Sequence, residues 1–94
     1  MSVLNPIKEI VFDGRKPSYA QVMRAVGEDL SKGNTDLEII WGENHIDLYF
    51  DPRVKQWFGS GWIRDIDGSY IANELNEIRA EAQREIATLN LWNT

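Results

Sequence analysis

Cysteine is missing from the 94 residues. That excludes a disulfide framework and thiolate metal sites, and it points to a reducing, cytoplasmic setting. Long apolar runs are missing as well. The opening stretch Met1-Ser2-Val3-Leu4-Asn5-Pro6-Ile7-Lys8-Glu9 has no basic region followed by an unbroken apolar segment, so neither a secretory signal nor a membrane span is expected. Basic residues are in the minority, ten Lys and Arg against fifteen Asp and Glu for a net charge of -5, and they are scattered. Duplex binding rests on several Lys and Arg contacts to phosphate, so this balance argues against nucleic acid and for a protein partner with a basic surface. Histidine occurs once, at His45. A catalytic triad or a zinc site would require it to converge with groups that no motif marks, so no metal and no cofactor is expected.

What is present suffices for one packed domain over residues 1–94. Hydrophobic residues make up 43% and aromatics 11%, ample for a single core in a chain too short to divide. Lys8 to Phe12 reads as a β-branched and aromatic strand stopped by Asp13-Gly14. A helix follows, with Ser18 as its cap, Gln21 as the capping-box partner, and Tyr19, Val22, Met23, Val26 and Leu30 on one stripe. Gly33 is its expected end. Asp36 to Asp51 reads as a hairpin: Leu37, Ile39 and Trp41 must oppose Ile46, Leu48 and Phe50. Only an even-length loop achieves that, and Gly42-Glu43 as a type II′ turn supplies one. The opposite face then carries Glu38, Ile40, His45, Asp47 and Tyr49. Val54 to Trp62 is the expected third antiparallel strand, weakened by Gly59 and Gly61.

The longest helix is expected from Ser69 or Tyr70 to about Trp92, with Ile71, Leu75, Ile78, Ala82, Ile86 and Leu89 at helical spacing and Glu74, Glu77, Glu81 and Glu85 outside. It is long enough to overhang the sheet, leaving Leu89, Leu91 and Trp92 in need of cover from the first strand or from another chain. The fold class is therefore α+β, a two-layer sandwich: a mostly antiparallel sheet of three or four strands with two helices on one face, in the order β-α-β-β-β-α.

Two short stretches invite chemical readings. Asp65-Ile66-Asp67-Gly68 places carboxylates, glycine and Glu74 at the third, fifth, sixth and twelfth positions of a calcium loop. Ile63 stands at the first position, where an oxygen ligand belongs, so a turn and helix cap at Asp67 or Ser69 is the better reading. Gly59-Ser60-Gly61 has neither the spacing of a nucleophile elbow nor the Gly-Lys ending of a phosphate loop. It reads as a bulge or flexible loop between Phe58 and Trp62.

From Ser18 to Trp92 the order helix, three strands, helix resembles the topology of double-stranded RNA-binding domains. The place of that family's lysine cluster at the start of the last helix holds Asp65, Asp67 and Glu74 here, so the resemblance does not carry the RNA-binding function over. The functional expectation is a small acidic, non-enzymatic protein-binding module, of the kind a microbial or mobile-element inhibitor or adaptor would be. Its contact set is Trp57, Phe58, Trp62, Arg64, Asp65, Glu74, Glu77 and Glu81, because Trp, Tyr and Arg dominate binding hot spots. The alternatives are a small enzyme or ligand binder on the polar sheet face around His45, with Asp47 and Tyr49, and a homo-oligomeric subunit held through Leu89, Leu91 and Trp92.

Overall fold

The computed structural model describes residues 6–92, and the side chain of Trp92 lies outside what it describes. Five strands and two helices follow one another as β1 (Lys8–Phe12), α1 (Tyr19–Ser31), β2 (Asp36–Trp41), β3 (Asn44–Asp51), β4 (Gln56–Ile63), β5 (Ile66–Asp67) and α2 (Gly68–Trp92). The strands lie in sequence order in one sheet. β1 runs parallel to β2 through the α1 crossover, and the other neighbours are antiparallel. Both helices cover the same face, so the fold is a two-layer α+β sandwich.

Local chemistry sets the boundaries of α1. Ser18 Oγ accepts from the Gln21 amide at 3.1 Å while Gln21 Oε1 accepts from the Ser18 amide at 2.8 Å, a closed capping box. At the other end Gly33 has φ +86. The amides of Gly33 and Asn34 return to the carbonyls of Leu30 and Asp29, a Schellman close. The hairpin forms as its parity requires: Trp41 pairs with Asn44, and positive φ occurs at Gly42 but not at Glu43, the mark of a type II′ turn.

The core lies between sheet and helices. Leu37, Ile39, Ile46, Leu48 and Ile63 from the strands meet Val22 and Val26 of α1 and Ile71, Ala72 and Leu75 of α2. Beyond Ala80 every residue of α2 through Leu91 is exposed. A helix of 25 residues extends on the order of 37 Å, and its exposed second half projects past the core.

Two differences from expectation concern the segment from Asp51 to Gly68. Pro52 to Lys55 forms a turn, with the Lys55 amide donating to the Asp51 carbonyl at 2.8 Å, so β4 starts two residues later than its composition suggests. The stretch read as turn and cap also holds a fifth strand. Arg64, at φ 54, and Asp65 turn the chain so that Ile66 and Asp67 pair back on Ile63 and Trp62. Asp67 then caps α2, accepting from the amide and hydroxyl of Ser69, each at 2.9 Å.

Candidate functional site on the open sheet face

Successive side chains of a strand point to opposite faces, so the pairing registers determine which residues are neighbours on the face that the helices leave bare. Three rows result. Glu9, Glu38, Asp47 and Ser60 form one, and Val11, Ile40, His45, Trp62 and Asp67 the next. Asp36, Tyr49 and Phe58 form the third. None of these twelve positions holds Lys or Arg. Arg53, just past β3, is tied down at the rim by Asp51, with Arg53 Nη2 to Asp51 Oδ2 at 3.1 Å. Hydrogen bonds from the Arg53 side chain, and then from its amide, hold the Asp51 carboxyl below its ordinary range.

Aromatic surface sits among these carboxylates. Tyr49 and Phe58 stack with ring centroids 5.5 Å apart. Phe58 is 39% and Trp62 63% exposed, and Trp62 stands directly across from His45. His45 Nε2 lies 3.5 Å from Asp47 Oδ2, and one ligating atom each of Glu38, His45 and Asp47 fall within 4.8 Å of one another. The i and i+2 positions on β3, with Glu38 opposite Asp47 on β2, bring these three together.

The residues expected to meet a partner are distributed over different surfaces. Phe58 and Trp62 are on the open face. Trp57 is turned inward: only 8% exposed, it packs at 5.6 Å against Phe50, because its position in β4 has opposite parity to Trp62. No loop or bulge separates the tryptophans. The register runs without an inserted residue from Gln56 through Trp62, and the glycines are there because other backbone passes against β4. Arg64 holds its guanidinium 5.4 Å over the Trp41 ring. Asp65 pairs with Lys16 Nζ at 3.0 Å, which keeps its carboxyl below the usual range. Glu74 is half-buried beside Tyr70 and raises that phenol, first by hydrogen bonding and then by charge. Glu77 and Glu81 are exposed on α2, as are Leu89 and Leu91.

Alternation alone puts Glu38, His45, Asp47 and Tyr49 on one face. What it leaves unspecified is the β3–β4 register, which sets Trp62 beside His45 and stacks Phe58 on Tyr49. Among the described residues no helix is long and apolar enough to cross a membrane. Comparison of the chain with protein-family models, with curated proteins and with solved structures gave no match.

Proposed function

We propose that this chain is a non-enzymatic protein-binding module, an inhibitor or adaptor, that contacts a basic partner through the open face of its sheet. The observation that carries the reading is Trp62 and the Tyr49–Phe58 stack, exposed on a face whose strand positions offer carboxylates and no Lys or Arg. Large, rigid aromatic side chains contribute area at low entropic cost, and a surrounding ring of one charge sign selects the partner and steers its approach. A five-stranded sheet holds these groups in place before binding, which lowers the ordering cost of association. The first part of the α2 glutamate face lies on the other layer and is not required for this contact.

The test is affinity capture from the native cell with the wild-type chain and with Trp62→Ala/Phe58→Ala, circular dichroism serving as the fold control. A basic protein held by the wild type, released by added salt and lost by the double variant is the expected result. Equal capture by a folded double variant would remove the open face from consideration.

One observation favours a second reading, self-association through α2. The stripe that is buried at Ile71 and Leu75 continues into Ile78, Ile86 and Leu89, which are 56%, 57% and 60% exposed. Leu91 stands roughly 200° around the helix from Leu89, so the two leucines do not share one contact face.

A further inference from the structure

We infer that Glu38, His45 and Asp47 form a binding site for a divalent transition-metal ion, zinc being the reference case. The imidazole distinguishes this trio from a patch of carboxylates. One nitrogen and two oxygen donors suit zinc, cobalt, nickel or copper, whereas calcium and magnesium take all-oxygen shells. Distances support the same assignment. Metal–ligand bonds of about 2.0–2.2 Å in a tetrahedral shell place donors roughly 3.3–3.6 Å apart. His45 Nε2 and Asp47 Oδ2 already stand 3.5 Å apart. Glu38 completes the set with its donor within 4.8 Å of the others, and three side-chain torsions let it close the remaining ångström or so.

The scaffold favours the site. All three ligands rise from β2 and β3, paired strands within the sheet, so their Cα positions are fixed by the ladder: Glu38 opposite Asp47, and His45 two residues along. None of the strand positions in the three rows holds a Lys or Arg to compete for the carboxylates. Ile40 and Trp62 flank His45 across the two neighbouring strands. Three protein ligands leave the outward coordination positions open to water or to a donor group from outside the chain. The inference rests on the geometry of the trio and not on the partner reading, since it concerns the isolated chain.

Calorimetric titration of zinc chloride into the full-length chain at neutral pH, in a buffer that does not chelate metal, tests it. One equivalent is expected to bind. His45→Ala and, separately, Glu38→Gln are each expected to weaken binding by at least about 10-fold, the lower end of what loss of even an outer partner costs. Nickel should occupy the same site and quench Trp62 fluorescence, read as the difference between wild type and Trp62→Phe, and excess magnesium should not displace zinc. Absence of binding to the wild type would overturn the inference, and so would zinc binding of unchanged affinity in both folded variants. His45 is exposed and Glu38 half-buried, so both variants are expected to fold, and circular dichroism checks each.

Discussion

Where β4 meets the first turn of α2, single atoms decide the fit. A Cβ built on Gly59 would land on the Gly68 carbonyl and close to Leu48 Cδ2, and one on Gly68 would land on the Ser60 carbonyl. Backbone on both sides cannot yield as a flexible side chain can, so the overlap has no inexpensive escape. Gly27 is the natural control, since a Cβ there meets nothing within 4 Å and the residue lies in the middle of α1, where glycine only adds backbone entropy to the unfolded chain. Gly59→Ala is expected to destabilise by about 3 kcal/mol or more, at the severe end of single substitutions. Gly27→Ala is expected to stabilise by about 0.5–1 kcal/mol. Urea denaturation midpoints of the two variants should move in opposite directions from wild type, and a Gly59→Ala midpoint matching wild type would refute the close packing of β4 on α2.

Between elements, one side chain performs the work of a missing strand. β5 covers only Trp62 and Ile63, which leaves the outer edge of β4 unpaired further back. At Trp57, Asn76 of α2 fills the gap: its Oδ1 accepts from the Trp57 amide at 2.7 Å and its Nδ2 donates to the Trp57 carbonyl at 3.1 Å. This clamp fixes the helix to the sheet at the residue whose indole enters the core. Asn76→Ala strands two part-buried backbone groups and is expected to cost about 2–3 kcal/mol. Asn76→Asp keeps the acceptor, loses the donor and should fall between. An Asn76→Ala chain within ~0.5 kcal/mol of wild type in chemical denaturation, as for an ordinary surface change, would show that the clamp holds nothing. The contrast with α1 explains what the residue order reveals. Ser18, Gln21 and Gly33 bound a helix through contacts three to five residues apart, and the parity of the Gly42-Glu43 hairpin follows from alternation alone, so both are legible in the sequence. The Asn76 clamp and the two-residue β5 depend on approach between segments and leave no periodic trace. The candidate site divides in the same way: its face is legible from alternation, but glycines at 59 and 61 imitate a loop and hide the unbroken strand that sends Trp57 inward and Trp62 outward.

For the whole molecule, the division of α2 is the feature that separates the two functional readings. Ile71, Ala72 and Leu75 bind the helix to the core, Asn76 clamps it, and Arg79 lies 5.4 Å over the Phe50 ring. Past those contacts the helix is exposed through Leu91. Exposed helical residues add little to stability, because a single helix in water is marginal on its own. A chain ended after Gln83 is therefore expected to fold with a melting temperature within a few degrees of the full chain, corresponding to less than about 1 kcal/mol. The apolar stripe at Ile86 and Leu89 is lost in that chain while Phe58, Trp62 and the carboxylate rows stay in place. If the open sheet face is the contact surface, the shortened chain captures the same basic partner as the full one. If α2 joins two copies, the full chain sediments as a concentration-dependent dimer and the shortened chain as a monomer. Unfolding of the shortened chain would refute the division itself, since it would mean that the projecting half of the helix is held by contacts the sheet and core do not provide.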